Sequence, residues 1–345
     1  MLLDRLTSLR RKLLTVVGPS GREEAPLRAY GKLEFHEEYL RVGCDGLPAA
    51  SAFASWMDGG VARCERVLGK NAFRVQRHRL LWSTDRGRIW VVACLWDSRD
   101  RRSEQGHQRN FPFALFVIVP APDRNVPWHF APALCSAIWS GLERRFDSVS
   151  AASTRAEFDA RVRSNCVPGL PKSDDCDPDP QGVAKTTRLA DWFAALLDQS
   201  VTREAFYMAL QRGLLEFRNS RGSKPLIWRM PIAARWDSIG QTANWFRWLQ
   251  VNLESCWTDF AVHLPSETAE NKLDAAIVLR GSVAEDFALL LEEPGQVDSS
   301  LPPRLADGAF LPPGHDGFVR ILEGKLPPAS ATLAEFAKTT FPRPT

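Results

Sequence analysis

The sequence lacks the short signatures of most catalytic and metal-binding proteins. None of its seven cysteines (Cys44, Cys64, Cys94, Cys135, Cys166, Cys176 and Cys256) forms a Cys-x-x-Cys pair, so the common zinc-ribbon and thiol-redox spacings are excluded. The odd count, with Cys94 and Cys256 inside apolar runs, reads as free thiols in a reducing compartment. There is no G-x-S-x-G, hence no hydrolase nucleophile elbow. A phosphate-cradling loop needs glycines followed by Lys and Ser/Thr. Gly69-Lys70 is followed by Asn71, and Gly18-Pro19-Ser20-Gly21 ends in Arg22. His36-Glu37-Glu38-Tyr39-Leu40 starts like a zinc-protease helix, but Leu40 stands where the second ligand belongs. Asp175, Asp177 and Asp179 alternate like the start of a calcium loop. Pro180 replaces the turn glycine there, and the bidentate glutamate is missing. No metal and no cofactor is expected.

A large charge imbalance is also missing. Lys and Arg number 44 against 41 Asp and Glu, a formal net charge of +3. That is too near balance for a general attraction to nucleic acid or to a membrane. No apolar run has the length of a membrane helix. At the N-terminus, Asp4, Arg5, Arg10, Arg11 and Lys12 interrupt the leucines where a signal peptide needs a continuous apolar core. The expected location is the cytoplasm, with no transmembrane segment and no nucleic-acid partner.

What the sequence does have is alternating helix and strand signals. Leu2, Leu6, Leu9 and Leu13 predict a short amphipathic helix over 2–14. Leu47-Pro48 starts a helix with apolar Phe53, Trp56 and Met57, which Gly59-Gly60 weaken or end. Runs 79–85 and 88–97 read as paired strands around an Asp85–Gly87 turn. A charged connection follows, and then the apolar run up to Pro120. Neither run, 88–97 nor the one ending at Pro120, alternates cleanly, so both faces of each are covered and this hairpin belongs mid-sheet. Further helices are predicted at 131–147, 154–163, 188–198, 202–215, 240–253, 283–291 and 331–340. Strands are predicted at 225–233, 256–264 and 273–280, the first demoted to an edge or a short piece by Pro225 and Pro231. Most of the twelve tryptophans fall in these elements and read as core; Trp245 and Trp248, three apart on a helix, also suit a partner-binding face.

The fold expected is therefore α+β: a largely antiparallel central sheet with helices packed on both faces, in one compact body. Residues 1–27 form an N-terminal amphipathic extension and 28–165 a first half. Residues 166–186 are a Pro/Asp-rich loop, 187–295 the second half of the same body, and 296–345 a Pro-rich arm that lies over it or is partly disordered.

Three motifs, read in order, carry a resemblance. They are Tyr30-Gly31-Lys32-Leu33, the Leu47-Pro48…Phe53…Trp56 helix, and W-D-S-R-D-R…R-N-F-P-F with Asp97, Ser98, Asp100, Arg101, Arg109, Phe111 and Pro112. Together with Trp257-Thr258 and the R-G-S-V-A-E-D-F-A-L-L run at 280–290, they resemble the TagF/ImpM family of bacterial type VI secretion accessory proteins. Glu34 replaces the family's Pro after Gly-Lys-Leu, and the Asp-Arg to Arg-Phe-Pro spacing is expanded. The resemblance implies a non-enzymatic cytoplasmic regulator that acts by binding a forkhead-associated-domain scaffold protein or another apparatus component. Read physically, the charged residues of the 97–112 segment make it either a partner-binding surface or a structural clasp in which Arg101 and Arg109 hold Asp97 or Asp100. Two other readings stay open. One is a hydrolase or transferase assembled from His78, His107 or His129 with Asp97 or Asp100; the other is a structural subunit of a contractile apparatus.

Overall fold

The computed structural model describes residues 16–17, 23–33, 39–69, 73–97, 111–122, 126–172, 175–179, 182–196, 202–219, 226–233, 236–253, 259–265, 272–279, 284–291, 327–328 and 330–339. One antiparallel sheet of eight strands organises the chain. The strands are β3 (Arg28–Gly31), β4 (Leu40–Val42), β5 (His78–Thr84), β6 (Ile89–Trp96), β7 (Phe113–Pro120), β9 (Leu226–Ala233), β10 (Phe260–Pro265) and β11 (Lys272–Leu279). Their spatial order is β4-β3-β7-β6-β5-β10-β11-β9. Five strands from before residue 165 and three from after residue 187 thus share one ladder. The seam is the β5–β10 pairing, with Leu81 opposite Val262. A small second sheet joins β1 (Val16–Val17), β2 (Glu23–Pro26) and β8 (Cys166–Pro168).

The β6–β7 hairpin lies inside the large sheet, and seven residues of each strand are buried. Alternation divides them between two cores. Val91, Ala93, Leu95, Ala114, Phe116 and Ile118 face helix α1 (Pro48–Leu68). Trp90, Val92, Cys94, Phe113, Leu115 and Val117 face the other side. That side is covered by α2 (Ala131–Ser150), α5 (Leu189–Leu196), α6 (Arg203–Asn219) and α7 (Ser238–Leu253). Short helices α3 (Arg155–Ser164) and α4 (Val183–Thr186) complete the layer. The 85–88 turn takes left-handed backbone at Asp85, Arg86 and Gly87, and the Gly87 N–H donates to Asp259 Oδ1 at 2.9 Å.

Side chains meet part of each outer edge of the large sheet. On β4, Arg155 donates to the carbonyls of Tyr39 (2.9 Å) and Arg41 (3.4 Å). On β9, the Pro231 carbonyl accepts from Trp245 Nε1 at 3.1 Å. The side-chain amide of Gln241 meets both the N–H and the carbonyl of Ala233, at 2.8 and 2.9 Å. The same Gln241 Oε1 accepts from Trp192 Nε1 at 3.0 Å, which ties α5 to the edge.

Several expectations change. Helix α1 runs through Gly59-Gly60 to Leu68, because Gly60 is a contact and not a stop. A Cβ there would lie 2.2 Å from the Phe287 side chain. The 283–291 helix is a 3-10 segment over Ala284–Leu290. Within 166–186, read as a loop, Cys166–Pro168 pairs with β2 and Val183–Thr186 is helical. The 256–264 strand begins at Phe260. The last helix, α8, is a single turn over Leu333–Phe336, fixed by a Thr332/Glu335 capping box. It is part of the core: Phe336 is 2% exposed and stacks on Trp248 with 6.2 Å between centroids. Trp245 and Trp248 are fully buried in that core, so they are not a partner face. The N-terminal helix predicted over 2–14, Cys256, Trp257 and Thr258 lie outside the described residues.

Candidate functional site

The three motif segments converge at one end of the large sheet. Gly31 ends β3 opposite Phe113 on β7, at φ +121°. A Cβ on Gly31 would sit 2.1 Å from the Pro112 carbonyl oxygen. Only glycine combines that backbone angle with so close an approach. The Gly of Tyr-Gly-Lys-Leu and the Phe-Pro of the third motif are therefore two halves of one contact. Pro112 and Phe111 are buried, as are Lys32 and Leu33. From the second motif, Trp56 of α1 packs edge-on against His263 at 5.7 Å, and Pro48 occupies the first turn of the helix after Leu47.

Between these segments lies a cleft of about 370 Å³, lined by Lys32, Tyr39, Asp58, Val61, Ala62, Glu65 and Phe111. One wall is a single stripe of α1, since Asp58, Val61, Ala62 and Glu65 are three, four and seven residues apart and share a helical face. The other wall is built from the end of β3, the entry to β4 and the entry to β7. The Tyr39 and Phe111 rings meet edge to face at 4.3 Å, and Tyr30 packs behind Tyr39 at 5.3 Å.

Asp58 organises the polar side. The Tyr30 hydroxyl donates to both its carboxylate oxygens at 2.7 Å, and the Tyr39 hydroxyl donates to Oδ1 at 3.2 Å. Burial first, and then the Asp58 carboxylate, hold both phenols well above their ordinary pKa. They therefore remain O–H donors across the physiological range. Two of the chain's three tyrosines thus serve one carboxylate. Sequence reasoning singled out Tyr30 but missed Tyr39, Asp58 and Glu65. The available signal was the helical spacing of Asp58 and Glu65, with Val61 and Ala62 between them.

Of the expected loop residues, Asp97 is half-buried just after β6, while Ser98, Asp100, Arg101 and Arg109 lie outside the described residues, as does His107. The expected Arg–Asp clasp therefore falls there too. His78 is buried at the start of β5. Its Nδ1 lies 2.8 Å from the Gln76 carbonyl and must donate, since a carbonyl only accepts. Burial lowers its pKa to about 4. Its neighbour across the strand pair, His263, is pushed down to about 3 by burial and by the nearby His78. His129 is likewise lowered, by burial and by Arg247. Among the described residues no histidine lines the cleft. Among the described residues no group of three or more His, Cys, Asp or Glu side chains is arranged to hold a metal. Six cysteines are free thiols there, and no helix is long and apolar enough to cross a membrane.

No protein-family model and no curated protein matches the chain. Among solved structures it is similar to PA0076 from Pseudomonas aeruginosa PAO1. The two are 19% identical, with 53% of this chain and 76% of that one covered, at a TM-score of 0.31.

Proposed function

We propose that this chain is a non-enzymatic accessory protein of a bacterial type VI secretion system, acting in the cytoplasm by binding a protein partner. The partner is a forkhead-associated-domain scaffold or another component of the apparatus. The family-like order of the motifs motivates the system. The observation that carries a binding role is one cleft lined by Lys32, Tyr39, Phe111 and the α1 residues Asp58, Val61, Ala62 and Glu65, with Tyr30 packed behind Tyr39, so that aromatic rings and charged groups meet at one place. Aromatic anchors beside charged groups are the usual composition of a binding hot spot. A hydrolase or transferase built on His78 is disfavoured by the burial of that side chain away from the cleft and by its bond to a backbone carbonyl.

The test is capture from a lysate of the native host, followed by mass spectrometry, with wild type and Phe111→Ala as baits. The expected result is a secretion-apparatus component captured by wild type and lost with Phe111→Ala, while unfolding of the two baits stays cooperative. Equal capture by both baits would remove the cleft from the binding surface.

A further inference from the structure

We infer that the cleft receives a basic side chain, an arginine in preference to a lysine, presented by the protein partner; this rests on reading the cleft as the partner-binding site. Asp58 and Glu65 stand on one face of α1 and both line the cleft. Neither forms an ion pair within the described residues. Lys32 adds one positive charge to the lining, so among the described lining residues two carboxylates stand against one ammonium. Asp58 is held in place by the two phenol O–H groups and keeps lone pairs for an incoming donor. Within the described residues no side chain bonds the Glu65 carboxylate, so it is left to complete the contact.

The aromatic wall selects among cations. The half-buried Tyr39 ring, braced edge to face at 4.3 Å by the buried Phe111, borders the carboxylates. A planar guanidinium stacks on such rings while its N–H fork reaches carboxylates; an ammonium is a compact point charge and does only the second. The cleft volume of about 370 Å³ falls at the lower end of the range for small-ligand sites, enough for one long side chain. An acidic or phosphorylated group would meet the Asp58 and Glu65 carboxylates and be repelled.

The chain has only three tyrosines, two at the cleft and Tyr207 buried in the other core. Fluorotyrosine-labelled full-length protein therefore gives a resonance for each, assignable with Tyr207→Phe. The probes are N-acetyl-arginine methylamide, its lysine analogue and the neutral norleucine analogue. The expected result is a saturable shift of the Tyr39 and Tyr30 signals with the arginine probe, weaker with lysine, and none with norleucine. Glu65→Gln, which leaves the phenol bonds intact, should weaken arginine binding by about threefold, the size of an exposed charge contact. Raised salt should weaken it further. Three results would overturn the inference: no shift with arginine, an equal shift with norleucine, or binding unchanged in Glu65→Gln. A shift seen only after Arg101, Arg102 and Arg109 are replaced by Gln would assign the cleft to the chain's own arginines and also overturn it. If the arginine probe is ignored while Phe111→Ala still abolishes partner capture, the binding role stands and the basic-group inference alone falls. If Phe111→Ala captures like wild type, the binding role falls.

Discussion

Phe336→Ala probes how the C-terminal turn α8 is held. The Phe336 ring lies 5.6 Å from Trp245, 5.8 Å from Tyr207 and 6.2 Å from both Trp192 and Trp248. A buried Phe→Ala change costs about 3–5 kcal/mol, depending on how far the site can collapse. Collapse is hindered here because the walls are anchored. Trp245 Nε1 is bonded to the Pro231 carbonyl, Trp192 Nε1 to Gln241, and the strand-like contact of Leu189 N with Ala331 O (2.8 Å) holds the turn's entry. The cost therefore falls in the upper part of that range, a large fraction of the roughly 5–15 kcal/mol that stabilises a whole domain. The assay is urea unfolding followed by tryptophan fluorescence, since the affected indoles report on themselves. The midpoint should fall with the slope unchanged. Phe336→Leu, which keeps most of the volume, should lose less than about 1.5 kcal/mol. A Phe336→Ala variant within 1 kcal/mol of wild type would refute the docking of residues 330–339 and the packing argument with it.

Gly31→Ala forces a Cβ onto the Pro112 carbonyl oxygen in a backbone region that costs an L-residue about 1–3 kcal/mol by itself. Loss of soluble folded protein is expected, and wild-type stability would contradict the contact. Acid should destabilise the fold through His78 and His263. Their folded pKa values, about 4 and about 3, lie below the unfolded value of about 6.5. Each histidine's contribution is therefore intact above that value and lost as pH falls toward its folded pKa. That amounts to about 2 kcal/mol per histidine between pH 7 and pH 5. His263→Phe should flatten the pH dependence of urea unfolding by that amount, and an unchanged slope would count against it. A protease site inserted after Lys172 should give a nicked chain that stays one complex in gel filtration, because β5 and β10 pair across the two halves. Separate folded halves would contradict the shared sheet.

The sheet was largely legible in the sequence because its signal is local. Two uninterrupted apolar runs around a charged connection mean a strand pair covered on both faces, and β6 and β7 are that pair. Pro231 correctly marked β9 as an edge. What escaped depends on contacts between distant residues. Gly60 looks like a helix breaker until Phe287, more than two hundred residues away, is seen to occupy the space a side chain would need. The C-terminal turn is four residues long, and its burial follows from the Trp192, Trp245 and Trp248 surface that receives it. At the cleft, the motif residues Tyr30, Gly31 and Phe111 were visible as a pattern. Their organising partner Asp58 was not, because a single carboxylate on a helix acquires meaning only when two tyrosine hydroxyls from other segments reach it.

The binding role of the cleft is tested most directly by placing a photoreactive amino acid at Glu65, inside the cleft, and separately at Val251, an exposed position on α7 at 37% exposure. Cross-linking is carried out in cells of the native host, and the products are identified by mass spectrometry. The account predicts that the Glu65 position captures a secretion-apparatus protein through a peptide rich in arginine or lysine, and that the Val251 position does not. Capture of that protein from Val251 but not from Glu65 would contradict it.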